Sequence, residues 1–130
     1  MIAFWCYDPS DLDDGGIHGW YDEQPPEFRA EIDGALEVLA REKGHGTAPQ
    51  LKPLRGACAG LTEVKIDFGG RRVQIHLRIL GYEATPRVFV LLTGFRKSGS
   101  ADYGAACRSA HTRKRGVQKD GRRAKPCRFP

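Results

Sequence analysis

The sequence predicts an α+β fold, and three observations support that prediction. Residues 61–97 hold three apolar runs separated by two turn signals, the pattern of an antiparallel meander. An amphipathic helical pattern over 27–43 precedes the meander, and a shorter helical segment over 102–115 follows it. With 130 residues, the chain is long enough for one hydrophobic core and too short for two.

The first two strands of the meander show the alternation of half-buried strands. Apolar residues occupy every second position in 62–68 and again in 73–80, with charged or polar residues between them. Gly69 and Gly70 separate these runs and can adopt the positive φ that a two-residue hairpin requires. The third run, 88–92, is apolar at every position, so we expect a central strand covered on both sides.

The remaining elements follow from start and stop signals. The segment 2–7 favours β structure and predicts a short fourth strand, and 17–23 predicts one or two helical turns. Pro25 and Pro26 open the long helix, and Asp102 caps the last one. Residues 8–16 and 45–60 are predicted to be loops because they are rich in glycine, proline and, in the first, aspartate.

Charge is distributed unevenly along the chain. The net charge of +5 combines a balance of −8 over residues 1–50 with +4 over 51–95 and +9 over 96–130. A basic C-terminal third indicates a polyanionic partner, most often nucleic acid. Residues 116–130 lack apolar periodicity, so we expect a domain over 1–115 and a disordered basic tail. A solvated tail with no specific partner remains an equal alternative.

Composition excludes several classes of protein. No run of 18 apolar residues is present, which argues against a membrane span, and no signal peptide is evident, so a cytoplasmic protein is expected. The four cysteines, Cys6, Cys58, Cys107 and Cys127, lie far apart, with no CxxC and no nearby histidine pair. Zinc-site spacing is therefore absent, and free, partly buried thiols are expected of a cytosolic chain.

Four stretches of the chain resemble the RelE/HigB-like toxins of bacterial type II toxin–antitoxin pairs, in particular their phage-derived branch. Residues 17–39 resemble the family's two-helix opening, in which a Trp-Tyr or Trp-Leu pair precedes a proline and the long helix. Residues 54–65 resemble its "L-x-G … GL-x-EL-R" run. The end of the meander, 90–97, resembles its "VLLHGF-x-K" strand, and 106–113 its closing helix. Together these matches cover roughly residues 2–115.

The resemblance implies a fold and an activity. The fold would be a four-stranded antiparallel sheet with two N-terminal helices on one face and a short C-terminal helix. The activity would be an endoribonuclease that cuts mRNA on the ribosome, without a metal or other cofactor, and that a partner antitoxin, of helix-turn-helix type, silences. The ribose 2′-hydroxyl attacks the neighbouring phosphate, so the enzyme must stabilise charge and relay protons.

The resemblance also selects candidate site residues. Lys65 matches the basic position after the glutamate of the family's second strand, and Arg96 and Lys97 match the basic end of its last strand. His76, within the meander, is a candidate acid or base near neutral pH. Further candidates for RNA binding are basic residues of the hairpin and an aromatic residue at the start of the last helix: Arg71, Arg72, Arg78 and Tyr103.

Departures from the family pattern leave other functions open. Where relatives carry a Tyr-Arg-x-x-Tyr-like run, this chain has Gln74 and Leu77 in place of the arginine and the second aromatic, and Thr93 replaces a histidine. One alternative is an RNA- or antitoxin-binding module without catalysis. Another is a gyrase inhibitor like the ParE toxins, which have a similar fold.

Overall fold

A computed structural model describes residues 1–9, 16–42, 49–99 and 102–130 of the chain. Its helices are α1 (Gly16–Asp22), α2 (Pro26–Ala40) and α3 (Asp102–Lys119). Its strands are β1 (Ala3–Tyr7), β2 (Leu51–Pro53), β3 (Thr62–Gly69), β4 (Gln74–Thr85), β5 (Val88–Arg96) and β6 (Ala124–Pro126). Short 3₁₀ turns cover Gly56–Cys58 and Gly121–Arg123.

The α+β class is confirmed, but the prediction of four antiparallel strands is wrong. The strands form one six-stranded sheet in the order β2-β3-β4-β5-β1-β6. β1 runs parallel to β5, and the other neighbours pair antiparallel. The connection from β1 to its parallel neighbour β5 is long, as parallel pairing requires, and contains both helices as well as β2, β3 and β4. β2 and β6 have three residues each, too few for a periodic pattern.

The predicted meander is present as β3, β4 and β5. The prediction of a two-residue turn at Gly69 and Gly70 is wrong, because Gly69 ends β3 and pairs with Gln74, so that residues 70–73 form the turn. Gly69 does adopt a φ of 137°, a conformation that side chains disfavour. β5 lies inside the sheet and is covered on both faces. Phe89 and Leu91 pack into the core beneath α1 and α2, whereas Val90 and Leu92 pack beneath α3.

The expectation of a single core is wrong, because helices cover both sides of the sheet and each face carries its own core. The core under α1 and α2 includes Ile17, Ile32, Leu36, Leu39, Val64, Ile66, Leu77 and Ile79. The core under α3 includes Leu61, Leu80, Tyr82, Ala106, Ala110 and Val117. The closing helix has 18 residues and is therefore longer than expected, and it packs on the face opposite α1 and α2.

The C-terminal residues are ordered, so the prediction of a disordered tail at 116–130 is wrong. The proposed domain boundary at 115 falls inside α3, which continues to Lys119. β6 then pairs with β1, and Phe129 is buried against Tyr21, with the two rings stacked 4.0 Å apart. The order comes from isolated anchors rather than from a periodic apolar pattern, which is why periodicity did not predict it.

The expectation of free thiols is also wrong. Cys6 pairs with Cys127, and Cys58 pairs with Cys107. The first bridge joins β1 to the C-terminal segment, and the second joins the 3₁₀ turn before β3 to α3. Residues far apart in sequence meet through the sheet topology, which the spacing of cysteines alone does not reveal.

Parts of three predictions lie outside the described residues. These are the acidic loop, at 10–15, the last position of the long helix, at 43, and the loop that follows it, at 45–48. Among the described residues, no helix combines the length and apolar character that crossing a membrane requires.

Candidate functional site

A cationic pocket opens on the α3 face of the sheet. Its volume is about 400 Å³, and five of its nine lining residues are lysine or arginine. The nine lining residues come from β2, the segment between β2 and the 3₁₀ turn, the 3₁₀ turn itself, β3, β4, the end of β5 and the first turn of α3. We call it the basic pocket; its lining residues are Lys52, Leu54, Arg55, Cys58, Glu63, Lys65, Arg78, Lys97 and Tyr103.

Strand register explains why charges collect here. Lys65 of β3 lies directly opposite Arg78 of β4, and Asp67 lies opposite His76. Because side chains alternate between faces, these residues and Glu63 share the α3 side, while their apolar neighbours face α1 and α2. Like charges directly opposite each other destabilise a sheet. The two carboxylates on either side of Lys65 offset part of that cost.

Arg78 forms the buried floor of the basic pocket. Only 5% of the residue is exposed. Its Nη1 donates hydrogen bonds to Asp67 Oδ1 at 2.6 Å and to the Leu77 carbonyl at 2.9 Å. Its Nε is buried without a hydrogen-bond partner and lies 3.8 Å from Glu63 Oε2. Burial lowers the pKa of Arg78, but the hydrogen bond that Arg78 donates to Asp67 and its other interactions with Asp67 and Tyr103 together outweigh burial and raise that pKa overall.

Tyr103 and Glu63 form a pair beside this floor. The Tyr103 hydroxyl donates to Glu63 Oε2 at 2.5 Å, and Glu63 is only 3% exposed. Burial, followed by the hydrogen bond and the charge of Glu63, raises the pKa of Tyr103 to about 12. The ring is held edge-on by Phe95, with centroids 5.3 Å apart, and Lys97 Nζ lies 5.6 Å from its centroid. The phenol therefore stays protonated at neutral pH, in a fixed orientation.

Asp67 links the pocket floor to His76. Its Oδ1 also contacts His76 Nδ1 at 2.9 Å. Burial raises the pKa of Asp67, but the hydrogen bonds from Arg78 and then His76 outweigh burial, so the net shift is downward. His76 does not line the basic pocket. Its contact with the site runs through Asp67, which orients Arg78.

The structure brings together four of the eight predicted site residues. Lys65, Arg78, Lys97 and Tyr103 line the basic pocket. Arg96 lies on the opposite face, where its guanidinium is 6.0 Å from the centroid of the Phe28 ring, because successive strand residues point to opposite sides. Arg71 and Arg72 lie on the exposed turn between β3 and β4, outside the pocket.

Five of the nine lining residues were not among the predicted ones, and three of these five are charged. Glu63 had a signal in the sequence, since it lies two positions before Lys65 and therefore on the same strand face. Lys52 and Arg55 had none, because Lys52 lies within a three-residue strand and Arg55 lies just after it, in a segment predicted to be a loop. Within the part of the chain that the structure describes, no three His, Cys, Asp or Glu side chains are arranged to hold a metal ion.

Comparisons with known proteins add no assignment. No family model, no curated protein and no solved structure matches this chain.

Proposed function

We propose that this chain is the toxin of a type II toxin–antitoxin pair and cleaves mRNA on the ribosome. The proposal places it in the cytoplasm, with an antitoxin of helix-turn-helix type as its partner. The observation that supports it best is the hydrogen-bonded pair of Tyr103 and Glu63 inside a pocket lined by five cations. The motif resemblance over roughly residues 2–115 supports it independently.

The pocket contains the groups that cleavage by a ribose 2′-hydroxyl needs. The 2′-oxygen attacks the phosphorus, the bond from phosphorus to the 5′-oxygen breaks, and the products are a 2′,3′-cyclic phosphate and a 5′-hydroxyl. We assign Glu63 as the base that takes the 2′-proton and Tyr103 as the acid that protonates the 5′-oxygen. The hydrogen bond between them then returns the proton from Glu63 to Tyr103.

The cations stabilise the charge that develops on the phosphorane. Lys65 and Lys97 supply positive charge at the pocket wall, and Arg78 supplies a fixed guanidinium at its floor. Asp67 and His76 act as positioning residues through Arg78. Such preorganised charges contribute on the order of 10²–10³ in rate each. Arg96 lies on the other face of the sheet, so it has no role in this mechanism.

One observation favours a second function, RNA binding without cleavage. The Glu63 carboxylate and the Tyr103 hydroxyl are already hydrogen-bonded to each other, and such a pair can serve simply to attach α3 to β3. In that case the cations bind a phosphate backbone and no residue is free to act as a base.

Induced expression in a bacterial host, with mapping of RNA 5′ ends, tests the proposal. Glu63→Gln, Tyr103→Phe and Lys65→Ala/Lys97→Ala should each lower cleavage on the order of 10²-fold or more. Arg71→Ala/Arg72→Ala removes the same charge outside the pocket and should leave cleavage intact.

Three outcomes would contradict the proposal. If cleavage survives in Glu63→Gln and in Tyr103→Phe, the assignment of Glu63 as the base and Tyr103 as the acid is wrong. A folded wild-type protein that binds RNA without cutting it would leave the binding function. Growth arrest with DNA damage and intact RNA would point to gyrase instead.

A further inference from the structure

A second cationic pocket lies at the other end of α3. Its volume is about 600 Å³, and we call it the C-terminal pocket. It is built from the end of β1, the last turns of α3 and the 3₁₀ turn that follows. Its lining residues are Tyr7, Thr112, Gly116, Lys119, Asp120, Arg122 and Arg123.

Tyr7, with two guanidinium groups near its ring, forms part of the wall of this pocket. Tyr7 is 5% exposed, and its ring centroid lies 4.9 Å from the Arg113 guanidinium carbon and 6.0 Å from that of Arg123. Arg123 Nη2 also donates to the Tyr7 hydroxyl at 3.4 Å. A β-carbon at Gly116 would lie 3.3 Å from Arg123 Nε, so glycine leaves room for this guanidinium. The platform is therefore assembled from three separate elements.

Two further cations lie at the mouth of the pocket. Lys119 is exposed, and the Arg122 side chain is 91% exposed. Asp120 orients Arg122 through two hydrogen bonds, from Nε to Oδ1 at 3.0 Å and from Nη2 to Oδ2 at 3.2 Å. With three cations and one carboxylate, the lining keeps a positive balance. A guanidinium group can donate two parallel hydrogen bonds to two oxygens of one phosphate.

A basic stripe on the exposed side of α3 leads to the C-terminal pocket, which Lys119 lines. Arg108, Arg115 and Lys119 are exposed and are spaced seven and four residues apart, so they lie on one side of the helix. Tyr103, in the basic pocket, and Lys119, in the C-terminal pocket, are separated by roughly 24 Å at the usual helical rise. A phosphodiester chain carries charge at every nucleotide and can contact both ends.

We propose that the C-terminal pocket and the stripe bind the phosphates of the single-stranded RNA whose cleavage we place in the basic pocket. The inference rests on that proposed function and adds a second, separate contact for the substrate. An acidic protein segment is the other polyanion that this charge would accept, and the experiment below separates the two.

Binding of labelled, 2′-O-methylated RNA, which cannot be cleaved, tests the inference. Oligonucleotides of roughly 4 and roughly 16 nucleotides bracket the usual single-strand site sizes. Lys119→Ala/Arg122→Ala should weaken binding of the longer RNA roughly tenfold and reduce its salt slope by about 1.4, the value for two lost phosphate contacts. The shorter RNA, which fills the basic pocket alone, should bind as before.

Arg41→Ala/Arg87→Ala is the matched control, because it removes two exposed charges that line neither pocket. If the two variants weaken binding of the longer RNA equally, the effect comes from net charge alone, and the inference is overturned. Tighter binding of polyglutamate than of RNA, lost in Lys119→Ala/Arg122→Ala, would also overturn it in favour of an acidic protein. If RNA still requires Lys119 and Arg122 but never requires Lys65 and Lys97, the C-terminal pocket stands and the proposed function fails.

Discussion

The hydroxyl of Tyr103 donates a 2.5 Å hydrogen bond to the carboxylate of Glu63, forty residues earlier in the chain. Glu63 is buried in the sheet, and Tyr103 lies in the first turn of α3. The bond therefore attaches the start of α3 to β3 at the wall of the basic pocket. A buried carboxylate needs such a partner, because leaving it unsatisfied costs about 1–3 kcal/mol or more.

The first prediction concerns the ionisation of Tyr103. Its pKa of about 12 lies above the ordinary value of 10.0, so the pair contributes stability that is fully present below the ordinary value and is lost as pH rises through about 12. At about pH 11, where an ordinary tyrosine is mostly ionised, we expect Tyr103 to remain protonated. The difference in phenolate absorbance between wild type and Tyr103→Phe measures this directly.

Glu63→Gln removes the negative charge and should move this difference curve toward ordinary tyrosine. Tyr21 is the internal control, since its pKa is also raised to about 12, by burial and by Asp33. The Tyr21→Phe difference should not respond to Glu63→Gln. A wild-type Tyr103 that is already ionised at about pH 11 would contradict the geometry of the pair.

Local pattern predicted most of the fold. The sequence predicted β3 and β4 from their alternation, β5 from its continuous apolar run and α2 from its apolar stripe. Each of these patterns extends over several consecutive residues, and each element is present. The parallel position of β1, the short β2 and β6, and the ordered C-terminal segment depend on contacts between distant residues. Alternation likewise placed Lys65 and Arg78 on one face and separates Arg96 from Lys97. Which of those two residues lies on the α3 face depends on the β-bulge register of β5 against β4.

The second prediction concerns the disulfides. Under denaturing, non-reducing conditions the oxidised protein should take up no alkylating reagent, and after reduction it should take up four equivalents, as mass spectrometry would show. Loss of one bridge should lower the free energy of unfolding by about 2–5 kcal/mol. Cys6→Ser/Cys127→Ser and Cys58→Ser/Cys107→Ser are matched variants that each remove one bridge. The bridge between Cys6 and Cys127 closes the longer loop, with a sequence separation of 121 residues against 49 for the other bridge.

The bridges also bear on where the protein works. Disulfides persist in oxidising compartments and are rare in the cytosol, where the proposed function places this chain. Protein isolated from the cytoplasm with alkylation during lysis should then contain thiols and melt at a lower temperature than oxidised protein. Bridges that are complete in such a sample would count against a reducing environment.

The third prediction concerns Gly94, the glycine of the Gly-Phe-Arg-Lys run. A β-carbon at this position would overlap the indole of Trp20, so the close contact of α1 with β5 requires glycine. Gly94→Ala should destabilise the fold by about 1–3 kcal/mol, the usual cost of overpacking. Gly34→Ala, in the exposed face of α2 with nothing within 4 Å, should instead stabilise it by about 0.5–1 kcal/mol. Chemical denaturation measures both, and equal effects would contradict the packing of Trp20.

The fourth prediction concerns the C-terminal segment. Phe129 is 5% exposed, stacks on Tyr21 and meets the edge of the His18 ring, and the backbone N–H of Arg128 donates to His18 Nε2 at 3.0 Å. Phe129→Ala should therefore cost about 3–5 kcal/mol, as for other buried aromatic residues. Arg128→Ala keeps the backbone donor and removes only an exposed side chain, so its effect should stay within about 0.5 kcal/mol. If both variants have the same denaturation midpoint as wild type, Phe129 is not packed in the core, and the prediction of a disordered tail would be correct after all.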